Sequence, residues 1–236
     1  MNAPTTAPST DLDGAAADAR GISVSTALGQ LPAVTPETWA RTGPVARWLV
    51  LSRAPVLTLT LGAWLTGALL AWIDGFASPL VALLCGVGLL LAHATNNQLN
   101  DLTDHVRGMD ARNDFRARYG AHALEQGLMT PRTLFLWALG TGLAALAAGL
   151  AVVALTGPDV LLPLVAGAII LVAYTHPMKT WGLGELAVFL VWGPLMIGGV
   201  YLAMTGTLPL PILGAASVAG LGPTFVIFGK HIDKRA

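Results

Sequence analysis

Acidic side chains cluster just after an apolar segment of this 236-residue chain. Four of the ten aspartates lie between Asp101 and Asp114, soon after the uncharged run Leu80–Ala94. If a helix continues beyond this run, Asn97, Asp101 and Asp104 fall at i, i+4 and i+7 and share one face. Carboxylates that repel one another on one face are stabilised by hard divalent cations such as Mg²⁺, which take oxygen ligands. The spacing therefore predicts a cation-binding helix face.

Two further polar features accompany this acidic segment. The segment itself continues into a group of arginines that ends at Arg118, and such a group suits a ligand bearing phosphate charge. A later loop carries Lys179, and the chain ends shortly after Asp233. Taken singly, the acidic loop is also compatible with a solvated charged surface. Lys179 taken singly is compatible with a loop lysine that only sets the orientation of the protein in the membrane. Their recurrence on one predicted side of a membrane favours a common site.

The composition is that of a membrane protein. Hydrophobic residues make up 54% of the chain and charged residues only 11%, with a mean hydropathy of +0.66, whereas soluble domains carry roughly 25% charged residues. Six apolar runs are each close to the roughly 17–25 residues that cross a bilayer. They are Trp48–Trp72, Pro79–Asn96, Leu134–Thr156, Val160–Thr175, Leu186–Met204 and Leu210–Phe228. We predict an all-α fold, a polytopic transmembrane helix bundle with six spans.

The basic residues are distributed asymmetrically about these spans. If the N-terminus is placed on side one, all thirteen Lys and Arg residues fall on that side. The opposite loops, Ile73–Ser78, Gly157–Asp159 and Thr205–Pro209, contain none. The positive-inside rule then places the N-terminus in the cytoplasm. We predict an integral protein of a bacterial cytoplasmic membrane, with a disordered cytoplasmic leader over residues 1–40 and a transmembrane domain over residues 41–236. The expected partner is the lipid bilayer, not nucleic acid.

The ordered motifs from Trp48 onwards resemble the UbiA superfamily of intramembrane prenyltransferases. The first aspartate-rich motif of that family reads N-D-x-x-D-x-x-x-D, and Asn100, Asp101 and Asp104 match its front. Gly108 stands at its last position, with Asp110 two residues later. This form is most similar to the branch that prenylates 1,4-dihydroxy-2-naphthoate in menaquinone synthesis. A second matching stretch reads Tyr174-Thr175-x-Pro177-x-Lys179 and is followed by Gly182-Leu183-Gly184-Glu185.

The resemblance implies a Mg²⁺-dependent transfer of a polyprenyl group from its diphosphate to an aromatic acceptor, either 1,4-dihydroxy-2-naphthoate or another quinone-type or aromatic ring. Residues expected to act in catalysis are Asp101, Asp104 and Lys179. Residues expected to hold Mg²⁺ are Asp101, Asp104, Asp110 and Asp233. Residues expected to contact substrate are Asn97, Asn100, Tyr174 and Lys179. Arg118, from the group of arginines, is also expected to contact substrate.

The resemblance also implies a fold of about nine helices, so we expect the transmembrane domain to be incomplete at its C-terminus. Two other kinds of function remain open from the residues alone. An ion or small-molecule transporter would also carry acidic residues, although near the centre of its spans instead of at one rim. A phosphatidyltransferase would use diphosphate chemistry too, but its D-G-x-x-A-R motif is absent from the sequence. The third alternative is an inactive fragment.

Overall fold

The computed structural model describes residues 21–107, 123–174, 178 and 181–233, with the side chains given as far as residue 229. All regular structure in these ranges is helical, so the all-α prediction is confirmed. The α-helices are α1 Val24–Gly29, α2 Pro36–Arg41, α3 Pro44–Leu51, α4 Thr58–Ile73, α5 Pro79–Val106, α6 Pro131–Thr156, α7 Leu161–Ala173, α8 Gly184–Leu190, α9 Gly199–Thr205 and α10 Leu210–Asp233. Short 3-10 helices precede α4 and α7, at Ala54–Leu57 and Pro158–Val160, and a π-helix, Val191–Gly198, joins α8 to α9.

Five stretches of the described residues are long and apolar enough to cross a membrane. They are Ala54–Ile73, Pro79–Val106, Pro131–Thr156, Gly184–Thr205 and Leu210–Gly229. The fourth predicted span, Val160–Thr175, corresponds to the shorter apolar helix Pro158–Ala173. At 1.5 Å per residue that helix is about 24 Å long, slightly less than the hydrocarbon core of about 30 Å. The architecture is consistent with a polytopic helical bundle.

The segment before the bundle is folded where the structure describes it. Ser23 and Thr35 directly precede α1 and α2, and their side chains cap the first turns by accepting hydrogen bonds from backbone N–H groups. Ala27 and Trp39 are buried in a cluster with residues of α3. A disordered leader was expected over residues 1–40, but the structure has two short helices there, which are held by the buried side chains of Ala27 and Trp39. Residues 1–20 lie outside the described ranges.

The first span begins later than predicted. The run from Trp48 was expected to form one helix, but α3 ends at Leu51 and the chain turns at Ser52 and Arg53 before the 3-10 helix Ala54–Leu57. Arg53 has φ +52° and ψ +53°, which is the left-handed region. That conformation interrupts a right-handed helix, and Pro55 lacks the backbone N–H that would continue it. We call Ser52 and Arg53 the elbow.

Small residues bring the long helices close together. A Cβ atom added at Gly67 of α4 would lie 2.6 Å from Ile197 O, and one added at Gly193 would lie 2.6 Å from Ala216 O. At Gly220 of α10 it would lie 2.7 Å from Phe189 O. Backbones this close leave no room for a side chain. Such contacts are the usual means of packing helices where lipid removes the hydrophobic driving force.

The π-helix Val191–Gly198 contains Pro194. Proline lacks an N–H and collides with the carbonyl four residues earlier, and local π adjustment is one way in which membrane helices accommodate it. Trp192, in this π-helix, meets His93 of α5 edge to face with ring centroids 5.1 Å apart. His93 Nδ1 also shares a 2.8 Å hydrogen bond with Thr60 Oγ1 of α4. His93 therefore links α5 both to α4 and to the π-helix.

Candidate active site

Helix α5 carries the acidic residues out of the apolar run without interruption. It extends from Pro79 to Val106, so the expected helical continuation is confirmed. Asn97, Asp101 and Asp104 therefore share one face, with the two aspartates about 4.5 Å apart along the axis. Asp104 is only 1% exposed, and the side chain of Asp101 is 16% exposed. Two carboxylates thus lie one turn apart in a largely enclosed position.

The C-terminal end of α5 is fixed by local bonds. Thr103 Oγ1 donates to Leu99 O at 2.8 Å within the helix. His105 Nδ1 lies 2.5 Å from Glu125 Oε1, which belongs to the loop before α6. Because the negative end of the helix dipole lies here, a cation near Asp101 and Asp104 is favoured by the helix as well as by the carboxylates.

The elbow reaches this face of α5. The Arg53 guanidinium forms an ion pair with the Asp101 carboxylate. Asn97 Nδ2 donates a 2.8 Å hydrogen bond to Ser52 O, and Gln98 Nε2 donates a 3.1 Å bond to Ser52 Oγ. Asn97, Gln98 and Asp101 of α5 therefore bind the two elbow residues, which lie more than forty positions earlier in the chain.

Two other helix ends meet the acidic face. Tyr174 is the residue that follows α7, and Glu185 lies in the first turn of α8. The carboxylates of Glu185 and Asp104 both act electrostatically on the Tyr174 hydroxyl. We call Arg53, Asp101, Asp104, Tyr174 and Glu185 the acidic rim. These five side chains comprise one guanidinium, three carboxyl groups and one phenol.

The sequence-predicted residues fall into two groups. Asn97 and Asn100 lie on α5 beside the aspartates, and Tyr174, directly after α7, is within the electrostatic influence of Asp104. Asp233 closes α10, but its side chain is outside the described part. Three predicted residues lie outside the described ranges altogether, and their placement in the site stays a prediction: Asp110, Arg118 and Lys179.

Sequence reasoning did not assign Arg53, Ser52, Gln98 or Glu185 to the site. One available indication was the pair Ser52 and Arg53 in an otherwise apolar run. A second was Gln98, a polar residue beside the predicted cation-binding face that proves to be completely buried. Neither indication specifies a partner without the three-dimensional structure.

The donor set of the acidic rim fits a hard cation in part. Within the described residues there is no group of three or more His, Cys, Asp or Glu side chains placed to hold a metal ion. Asp101 and Asp104 nevertheless offer oxygen atoms on one face. Mg²⁺ is commonly held by one or two carboxylates, with waters and substrate phosphates completing its octahedron. Two carboxylates therefore suffice if the substrate supplies the remaining oxygens.

Comparison with known proteins agrees with this geometry. The UbiA prenyltransferase family matches residues 56–236. The 1,4-dihydroxy-2-naphthoate octaprenyltransferase of Escherichia coli strain K12 is 30% identical to the chain over 189 residues, which cover 76% of this chain and 60% of that protein. The chain thus spans less than two thirds of the length of this curated relative. No solved structure gives a significant match. The chain belongs to the UbiA prenyltransferase family.

Proposed function

We propose that this protein transfers a polyprenyl group from its diphosphate to an aromatic acceptor, with Mg²⁺ as cofactor. The observation that carries the proposal is that Asp101 and Asp104 share one face of α5 in a largely enclosed position. Two neighbouring carboxylates suit a divalent cation, and a diphosphate would supply further oxygen ligands to it. Family membership supports the same reaction class.

The bound Mg²⁺ would neutralise the diphosphate and so make it a good leaving group. Asp101 and Asp104 would hold the ion, and Asp110 and Asp233 are the further candidate ligands. Asn97, Asn100, Tyr174, Arg118 and Lys179 are the candidate substrate contacts. Lys179 would meet the diphosphate as a point charge.

The reaction balances without an oxidant or reductant. The bond between the allylic carbon and the diphosphate oxygen breaks, and diphosphate leaves with the electron pair. A carbon of the electron-rich acceptor ring then bonds to the allylic carbon. The ring loses a proton, or carbon dioxide if a carboxylate occupied that position. The apolar spans suit a polyprenyl tail, which enters from the lipid and needs no polar contact.

The acceptor that we propose first is 1,4-dihydroxy-2-naphthoate. It is the acceptor named for the E. coli relative, which is 30% identical to this chain. Its prenylation would place the protein in menaquinone synthesis at a bacterial cytoplasmic membrane, with the acidic rim on the cytoplasmic side. Other aromatic acceptors fit the same chemistry and are compared in the assay.

The test uses membranes that contain the protein, supplied with octaprenyl diphosphate and each candidate acceptor in turn. Prenylated naphthoate detected by mass spectrometry with Mg²⁺, and absent with EDTA, is the expected result. Membranes carrying Asp101→Asn serve as the matched control. Product that forms equally in EDTA would contradict the metal-dependent mechanism, and absence of any prenylated product would contradict the proposed function.

A transporter receives no support from the described helices. Between residues 58 and 73, 79 and 96, 161 and 173, and 210 and 229 the spans contain no Asp, Glu, Lys or Arg. Carboxylates that conduct ions are expected near the middle of a span. Asp101, Asp104 and Glu185 instead lie near the helix ends that form the rim.

A further inference from the structure

We propose that Ser52 and Gln98 are positioning residues, which hold the elbow so that the Arg53 guanidinium faces Asp101. The inference deepens the proposed function, because it concerns the charge presented beside the candidate metal ligand. Neither residue belongs to the motifs that carry the family resemblance. Their role follows from contacts between α5 and the elbow.

The contacts form a short ladder along α5. Asn97 binds the backbone carbonyl of Ser52, Gln98 binds its hydroxyl, and Asp101 binds the guanidinium of Arg53. The exposed fractions of Ser52 and Gln98 are both 0%. Because no water competes with a bond buried to this extent, the pair fixes the distance between the elbow and α5.

The elbow needs such a restraint. Among the described residues, Arg53 is the non-glycine residue with a positive φ. A side chain in the left-handed region is strained, and such strain persists only where the surroundings determine the conformation. Glycine would adopt it more easily but would carry no guanidinium. An arginine in this conformation therefore needs neighbours that restrain it, and the bonds from α5 to the elbow provide that restraint.

The buried amide of Gln98 is expected to lower the stability of the folded protein. Its Oε1 atom is buried and has no hydrogen-bond partner among the described residues. An apolar side chain of similar shape would avoid that desolvation. An apolar side chain could not bind Ser52 Oγ, however. We therefore attribute the polar side chain at position 98 to its bond with the elbow.

Chemical labelling of arginine tests the inference without reference to activity. Phenylglyoxal modifies accessible guanidinium groups, and mass spectrometry of the purified protein reports the labelling rate of each arginine. We expect Gln98→Met and Ser52→Ala each to raise the rate at Arg53 about fivefold, the effect on local opening of losing one buried hydrogen bond. Asp101→Asn, which removes the ion-pair partner itself, should raise it as well.

Arg47 provides the internal control. It lies six residues before Arg53 but donates to Trp39 O at 2.7 Å and to Ala40 O at 3.1 Å, away from the elbow. Its labelling should stay constant in every variant. Thr95→Val is the matched control on α5, because Thr95 is buried and its hydroxyl bonds only within the helix, to Leu91 O. It should change neither arginine.

Two labelling outcomes would overturn the inference. One is unchanged labelling of Arg53 in Gln98→Met and Ser52→Ala while Asp101→Asn raises it, which would show that the elbow holds without them. The other is an equal rise at Arg47 and Arg53, which would show general loosening of the protein instead of a local role.

The prenyl-transfer assay adds a second readout. If Gln98 acts through Arg53, Gln98→Met should reduce the rate in the wild-type background but cause no further loss in an Arg53→Gln background. Additive losses would overturn the positioning role. If the wild-type protein transfers no prenyl group, the proposed function fails while the labelling result still decides the role of Ser52 and Gln98.

Discussion

The hydroxyl of Tyr201 donates a 2.5 Å hydrogen bond to the Asp74 carboxylate, across 127 positions of the chain. Asp74 caps α4, and Tyr201 lies in α9, near the loop that follows it. Two loops predicted from the absence of basic residues to share the outer side of the membrane are therefore neighbours. The bond joins the first span to the span that contains the π-helix, at the end opposite to the acidic rim.

Loss of this bond should weaken the bundle modestly. Tyr201→Phe removes the hydroxyl and keeps the ring, and because the lost hydrogen bond involves the exposed Asp74 we expect only a small loss of stability. A lower midpoint of thermal unfolding in detergent would report it. In an Asp74→Ala background the same change should cost little. A full loss in both backgrounds would show that Tyr201 stabilises the fold through its packing instead of this bond.

Two glycines on α4 should respond oppositely to alanine. Gly67→Ala would place a Cβ 2.6 Å from Ile197 O and 2.9 Å from Val200 Cβ, and we expect a destabilisation of about 1–3 kcal/mol. Gly62→Ala is the matched control, since nothing lies within 4 Å of its Cβ position. It should be neutral or stabilising by up to about 1 kcal/mol. Equal thermal midpoints for the two variants would contradict the close packing of α4 on the π-helix.

The aspartates of the acidic rim should be essential for turnover. Asp101→Asn and Asp104→Asn preserve shape but remove a charged oxygen ligand. We expect each to lower the prenyl-transfer rate by more than the roughly 10–100-fold that loss of an outer-shell partner causes. Raising the Mg²⁺ concentration should partly restore Asp101→Asn. Near-normal turnover of both variants at low Mg²⁺ would show that Asp101 and Asp104 are not needed as metal ligands.

The topology has a direct test, because Cys85 is the single cysteine. In a Cys85→Ala background, cysteines at Ala77 and Thr207 should react with a membrane-impermeant maleimide in intact cells. Cysteines at Ser25 and Arg107 should react only after the membrane is opened. All four positions are exposed. Reaction of Ser25 or Arg107 in intact cells would refute the predicted orientation.

Long apolar runs and one spaced motif predicted most of the bundle and the acidic face of α5. The span boundaries follow from length and hydropathy, and the shared face of Asp101 and Asp104 follows from helical periodicity. The elbow could not be predicted in this way. Arg53 has no local preference for a left-handed conformation, and the bonds that hold it come from Asn97 and Asp101, more than forty positions later. The short helices near the N-terminus were missed for the same reason, since Trp39 is stabilised by a surface built from later residues.

The π-helix Val191–Gly198 determines which face of the following helix α9 is turned toward the rest of the bundle. A π turn contains one residue more than an α turn, so the face presented by α9 is offset from the one that α8 alone would continue. Deleting one residue there and restoring an α-helix would rotate Tyr201 by about 100° relative to Trp192. His93 and Asp74 could then no longer both keep their partners. The contact between His93 and Trp192 and the hydrogen bond between Tyr201 and Asp74 thus depend on the number of residues in the π-helix. A chain with one residue fewer there would retain at most one of these two contacts.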